Sequence, residues 1–334
     1  MSQRIAPDDP RLSWPGAVSL ETNDDGVRPW RMPYDKIGLI APGLADRAGM
    51  PAGVRIAFRS DTTAITCALN EFPDRRPIDI VCDGILIATM PTAGMDSFTF
   101  EGLPEGMKTI ELWLSQMGKI TLKSLDIDDG ATLEAYEDTR PRWIVYGSSI
   151  THCSEAPTPT GTWPAVVSRL AGFNHTSLGL GAENHHDAMV AMAIRDMPAD
   201  FITLKLGINP QILHTLGMRT YRTTTKGFVR IIREKHLDVP ITIVSSIWAA
   251  ARETEPNDIG INIETTRTEL ELAVEELRAC GDENVYYVNG LDLFGKEHAD
   301  AGHLPDNLHP NEDGYRIMGE NFVEKVIPRY FVQR

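Results

Sequence analysis

Cysteine is scarce in this 334-residue chain, with four residues, Cys67, Cys82, Cys153 and Cys280. They form no CxxC pair and show no metal-ligand spacing, which argues against a disulfide framework or a zinc module. Free thiols in a reducing compartment fit best, and Cys67 and Cys82 are the one pair that strand positions could bring together. Positive charge is also short: 32 Lys and Arg stand against 47 Asp and Glu, a formal net charge of −15. Such a surface repels phosphates, so nucleic acid is not expected as a partner. No apolar run approaches the ~20 residues that a membrane span requires. The opening MSQRIAPDDPRLSWPG lacks the basic start and apolar run of a secretory signal. A cytoplasmic protein without a membrane partner is the expectation.

What is present is an ordinary globular composition, 42% hydrophobic and 24% charged, long enough for two domains with cores of their own. The rhythm changes near Arg140-Pro141. Before it lie short strand-like pieces separated by Gly, Pro and Asp: KIGLIA, VRIAFRS, ITCAL, IDIVCDGILIATM, DSFTFEG, KTIELWLS and KITLKSLDI. Alternation such as Thr109-Ile110-Glu111-Leu112 marks strands with one buried face. The Asp83-Gly84 pair predicts a tight hairpin, because Gly tolerates positive φ. Residues 1–138 therefore read as an antiparallel β-sandwich.

After Pro141 the pattern alternates strand and helix. WIVYG, HTSLGL, FITLKLG, ITIVSSIW and NVYYVNG read as strands, separated by amphipathic helical stretches. In NIETTRTELELAVEELRAC, for example, Leu270, Ala273, Val274 and Leu277 share one face. Residues 139–334 thus predict an α/β domain, a mostly parallel sheet covered by helices on both faces. Active sites in such folds gather beyond the carboxyl ends of the strands.

Three such places carry residues suited to chemistry. Tyr146-Gly147-Ser148-Ser149-Ile150-Thr151 follows the first strand of this half. A serine there is reachable, although loop serines are more often turn or capping residues. Asp306-Asn307-Leu308-His309-Pro310 precedes the last helix, and the i,i+3 spacing lets a carboxylate orient an imidazole. A serine hydroxyl needs such a base at neutral pH. The simpler alternative has Asp306 capping the helix and His309 at the surface. Lys205-Leu206-Gly207-Ile208-Asn209-Pro210 ends another strand, where an Asn amide can donate to an oxyanion; an Asn-Pro turn is the bland reading. Between these, Leu178-Gly179-Leu180-Gly181-Ala182-Glu183-Asn184 can offer backbone N–H groups. His185-His186-Asp187 lacks a third spaced ligand and reads as site wall, and His152 and Cys153 as pocket lining.

The order of these blocks resembles the SGNH (GDSL-type) hydrolase superfamily over residues 142–328. GSSIT matches the family's first block and places the nucleophile at Ser149. Gly207-Ile208-Asn209 matches the Gly-x-Asn block, and Asp306 to Pro310 matches the terminal Asp-x-x-His-Pro block. Ser148 and Pro210 stand where many members have Asp. The second-block glycine is Gly181, with Ala182 or Gly179 in other registers. The resemblance implies a flavodoxin-like three-layer α/β/α domain. It also implies catalytic Ser149, Asp306 and His309, and an oxyanion hole from Ser149, Gly181 and Asn209. No metal or organic cofactor is expected. The first half is similar to the N-terminal domain of the SsfX3 group of bacterial esterases, a jelly-roll-like module akin to carbohydrate-binding modules.

The implied activity is that of a serine esterase on a small-molecule ester, with an acylated sugar or glycoside as a candidate substrate. An acyltransferase with the same residues, or a carbohydrate-binding protein with a vestigial hydrolase domain, are the alternatives. An imidazole base implies activity that falls below about pH 6–7. Nothing in the sequence decides the oligomeric state; a homo-oligomer stays open.

Overall fold

The computed structural model describes residues 2–331, which fall into two compact units. The first comprises the chain up to Arg140 together with Pro157–Thr160; the second holds Pro141–Ala156 and the chain from Gly161 onward.

The first unit is built from strands β1 (Ser2–Ile5), β2 (Ser19–Asn23), β3 (Gly26–Trp30), β4 (Arg55–Ser60), β5 (Ala64–Leu69) and β6 (Ile78–Cys82). It continues with β7 (Ile85–Met90), β8 (Ser97–Glu101), β9 (Lys108–Trp113), β10 (Leu122–Asp128) and β11 (Leu133–Ala135), plus one helix, α1 (Pro42–Ala48). Two antiparallel sheets result, ordered β2-β3-β10-β5-β8, with β1 also on β10, and β11-β4-β9-β6-β7. Their inner faces share one core, in which Ile65 and Leu125 of one sheet meet Phe58, Ile80 and Ile110 of the other. That is a sandwich. Asp83 and Gly84 both take positive φ (47° and 80°), the backbone a two-residue hairpin demands.

KIGLIA departs from expectation. Residues Tyr34–Leu39 form a 3-10 turn, because the segment has no alternating buried face to lay on a sheet. Cys67 on β5 and Cys82 on β6 lie in different sheets, and both are buried free thiols. Asp79 of β6 is wholly buried; its carboxylate accepts the Thr89 hydroxyl and both the N–H and hydroxyl of Thr160. These bonds hold Pro157–Thr160 in this unit.

The second unit contains strands β12 (Arg142–Gly147), β13 (Asn174–Gly179), β14 (Phe201–Lys205), β15 (Ile241–Val244) and β16 (Val285–Val288). All pair in parallel, in the order β13-β12-β14-β15-β16. The helices are α2 (Ser149–His152), α3 (Trp163–Ala171), α4 (Ala188–Asp196), α5 (Ile208–Ile212) and α6 (Met218–Arg233). After them come α7 (Ile263–Ala279), α8 (Lys296–His298), α9 (Glu312–Lys325) and α10 (Ile327–Tyr330). Local rules set their ends. The Thr162 hydroxyl accepts the Ala165 N–H at the start of α3, and Gly172 closes that helix at φ 69°.

Successive residues of β12 serve opposite faces of the sheet. Trp143 packs on Trp163 of α3 and Phe322 of α9, whereas Tyr146 stacks on Phe228 of α6. On α7, Leu270, Ala273, Val274 and Leu277 are all buried, as their spacing predicts. This is the flavodoxin-like α/β/α sandwich. Strand order reverses between β12 and its neighbours β13 and β14, so the loops leaving these three strands converge at a topological switch point.

Candidate active site

Strand β12 ends at Gly147, and the chain turns at once into α2. The Ser148 hydroxyl accepts the Ile150 N–H at 3.3 Å, so Ser148 is spent as the helix cap. Ser149 is thereby the first helical residue, half-exposed, with its N–H outside the helical ladder. Two neighbouring serines are separated by this division of labour.

The segment 304–309 brings a base to it. His309 Nε2 lies 2.9 Å from Ser149 Oγ, and His309 Nδ1 lies 2.7 Å from Asp306 Oδ2. Asp306 also accepts the backbone N–H groups of Leu308 and His309, at 2.9 and 2.6 Å. Partial burial works to raise its pKa. The N–H and imidazole of His309, with the Leu308 N–H, outweigh that and hold the carboxyl below its usual range. Asp306 does not cap α9; Asn311 does, through the Gly314 N–H. An imidazole so oriented can take the hydroxyl proton, which leaves Ser149 able to attack an electrophilic carbon.

Asn209 sits in the first turn of α5 rather than in a plain Asn-Pro turn. Pro210 is tolerated there because first-turn N–H groups have no helical partner. Gly207, which starts the helix, has φ 123°, and a Cβ on it would approach Ser246 Oγ to 2.5 Å, so any other residue there is strained and must displace Ser246. Asn209 Oδ1 accepts the Asn184 N–H at 3.2 Å. With its oxygen engaged, the amide presents its NH2 group elsewhere.

The third loop departs from the expected assignment. The Gly181 N–H is donated to His152 Nδ1 at 3.3 Å, which withdraws it from the role of oxyanion donor expected of it. Gly179, the other glycine considered, ends β13 pressed against α2: a Cβ there would lie 2.3 Å from the His152 nitrogen. Ala182 has φ 65°, the left-handed conformation that usually calls for glycine. Among the described residues no hydrogen-bond acceptor takes the Ala182 N–H.

Residues 140–327 match the GDSL-like lipase/acylhydrolase family, and residues 12–123 match the SsfX3 N-terminal domain. The chain belongs to the GDSL-like lipase/acylhydrolase family. Among solved structures it is similar to the salicylyl-acyltransferase SsfX3 from a tetracycline biosynthetic pathway. That similarity has a TM-score of 0.92 and 32% identity, covering 98% of this chain and 97% of that one. A putative GDSL-like lipase from Bacteroides ovatus shares the fold at TM-score 0.80 and 19% identity, covering 98% of each chain. A family two carbohydrate esterase from Cellvibrio japonicus does so at 0.70 and 15%, again covering 98% of each. No match is found among curated proteins.

In this member of the family the remaining candidates are accounted for by their contacts. Cys153 is buried, its Sγ is 3.2 Å from the Ile150 carbonyl, and burial pushes its thiol far up, the opposite of a nucleophilic thiolate. His186 is held neutral by burial, with a pKa lowered to about 3, and its ring lies edge-on to Tyr221. His185 bridges the Ala182 carbonyl and the Thr215 hydroxyl at 2.9 and 2.8 Å, so it braces the loop. Two buried residues contribute contacts that sequence reasoning missed. In the sequence His152 reads only as pocket lining, and Asn184 only as the end of a glycine-containing stretch. Neither carries a motif signal; only the closeness of the loops reveals them. Among the described residues no helix is long and apolar enough to cross a membrane.

Proposed function

We propose that the protein is a serine esterase that cleaves small acyl esters through an acyl-enzyme on Ser149. The observation that carries this reading is the unbroken chain from Asp306 through His309 to Ser149 Oγ, at 2.7 and 2.9 Å. His309 Nε2 takes the Ser149 proton as Oγ bonds to the ester carbonyl carbon, and Asp306 stabilises the imidazolium. The tetrahedral oxyanion is held by the Ser149 N–H, the Asn209 NH2 and the Ala182 N–H. A single such donor lowers the barrier by roughly 2.7–4 kcal/mol. Collapse breaks the ester C–O bond, and His309 returns its proton to the departing alcohol. Water then loses a proton to His309, attacks the acyl carbon and releases the acid, and Ser149 regains its hydrogen. No step calls on a metal or organic cofactor.

The test is hydrolysis of para-nitrophenyl acetate and longer acyl esters by the wild type and by Ser149→Ala. Loss of turnover in a variant that keeps its circular dichroism supports the reading, and the chain-length profile sizes the acyl site. Equal turnover in the two proteins sinks it.

A second reading has one specific observation in its favour, the 32% identity along the whole chain to a protein described as an acyltransferase. In that reading an alcohol replaces water as acceptor of the same acyl-enzyme. Product partitioning with added small alcohols or glycosides separates the two: ester formation well above the alcohol-to-water ratio marks a transferase. An acetylated sugar as the ester remains a proposal, motivated by the fold shared with carbohydrate esterases.

A further inference from the structure

The loop that supplies the Ala182 N–H has few helical or sheet bonds of its own, yet its donors must sit within a fraction of an ångström of the developing oxyanion. Side chains hold it from both directions. On one side His152, three residues beyond Ser149 and 2% exposed, accepts the Gly181 N–H at 3.3 Å through Nδ1. An N–H donor at Nδ1 requires that nitrogen to be unprotonated, which puts the ring proton on Nε2. On the other side Asn184, 1% exposed, gives its side-chain N–H to the Lys205 carbonyl at 2.9 Å. Its backbone N–H meets Asn209 Oδ1. The residues between, 181–184, are thus tied to the nucleophile's own helix at one end and to the oxyanion asparagine at the other.

We propose that His152 is a positioning residue for acyl transfer: its Nδ1 fixes the Gly181 peptide, and through it the Ala182 N–H, relative to Ser149. The inference rests on the esterase reading above and deepens it. It gives the imidazole a task distinct from that of His309. His309 moves a proton, whereas His152 needs only an acceptor at the Nδ1 position and never changes protonation during turnover. Asn184 serves the same register from the far end of the loop. Because both are buried beside backbone, an error in either displaces donors that work only when preorganised.

Packing and hydrogen bonding predict opposite rankings of substitutions. His152→Leu roughly keeps the volume and removes the acceptor. His152→Asn is smaller but sets its Oδ1 where Nδ1 stood. With para-nitrophenyl acetate, His152→Leu is expected to lower kcat 10- to 100-fold with KM within about twofold, since a misplacement of about 1 Å costs on the order of 10²-fold. His152→Asn is expected to keep kcat within about threefold of wild type. Asn equal to or worse than Leu overturns the proposal, as does a Leu variant with wild-type kcat. If His152→Leu does not fold by circular dichroism, His152→Ala takes its place and the ranking against His152→Asn decides. Ser149→Ala is measured beside them. An active Ser149→Ala fails the esterase reading itself, whereas an inactive Ser149→Ala with full activity in His152→Leu fails only this inference.

Discussion

Asp306 grips His309 twice, with Oδ2 2.7 Å from the imidazole Nδ1 and Oδ1 2.6 Å from the backbone N–H of the same residue. The first contact holds the ring and the second its backbone, so one carboxylate orients the imidazole toward Ser149. Asp306→Asn keeps an oxygen for the backbone contact but offers no second acceptor for Nδ1–H. We expect kcat on para-nitrophenyl esters to fall by roughly 10²–10⁴, with a melting temperature close to wild type because the carboxylate is half-exposed. A kcat unchanged in Asp306→Asn would show that His309 is oriented by something else.

Lys205 predicts a pH dependence of stability. Its amine is buried at the end of β14, and its pKa falls to about 7. Desolvation is the main cause; Cys153 opposes the shift and Arg267 adds to it. In the unfolded chain the amine titrates near 10.4. Between about pH 7 and 10.4 the unfolded state therefore binds more protons, and stability rises with pH across that window. Lys205→Met removes the dependence. The variant should be more stable than wild type at pH 7 by on the order of a few kcal/mol, with the gain shrinking toward pH 10. Urea melts at pH 7 and 9.5 check this, and a gain that grows with pH would contradict it.

Two glycines should respond to alanine in opposite directions. At Gly179 a Cβ would collide with the backbone of Thr151 and His152 at 2.3–2.6 Å. Gly179→Ala must push α2, and Ser149 with it, away from β13, so both activity and stability should drop. Gly227 lies inside α6, and a Cβ there meets nothing within 4 Å. Gly227→Ala should stabilise the protein by about 0.5–1 kcal/mol, the helix penalty of glycine. Thermal melts and esterase rates of the two variants, measured side by side, test the pair.

Thiol chemistry should be simple. Cys280 is exposed, whereas Cys67, Cys82 and Cys153 are buried and burial raises their thiol pKa values, that of Cys82 to about 11. One thiol per chain should react quickly with an aromatic disulfide reagent under native conditions and four after denaturation. Fast loss of two or more native thiols, or of esterase activity on modification, would count against this arrangement.

Both fold types were legible because they rest on periodicity. The buried faces of β5 and α7 repeat every two and every 3.6 residues, and such patterns survive without knowledge of what packs against them. KIGLIA shows the limit: apolar content without alternation suggested a strand, and the chain makes an exposed turn. The distinction between Ser148 and Ser149 came from a motif, while its physical reason, one hydroxyl spent on the helix cap and the next facing His309, needed the tertiary structure.

The sequence alone determined the two rhythms, one of alternating strands and one of strands alternating with helices, and an i,i+3 spacing that permits Asp306 to pair with His309, since these depend on residues close together in the chain. Tertiary structure alone decided that His309, 160 positions from Ser149, meets its hydroxyl. It also decided that His152 claims the Gly181 N–H, while among the described residues no acceptor takes that of Ala182, and that Asn184 turns the Asn209 amide. Backbone N–H groups are identical at every residue, so which one stays unpaired is a property of the folded loop and leaves no mark in its letters.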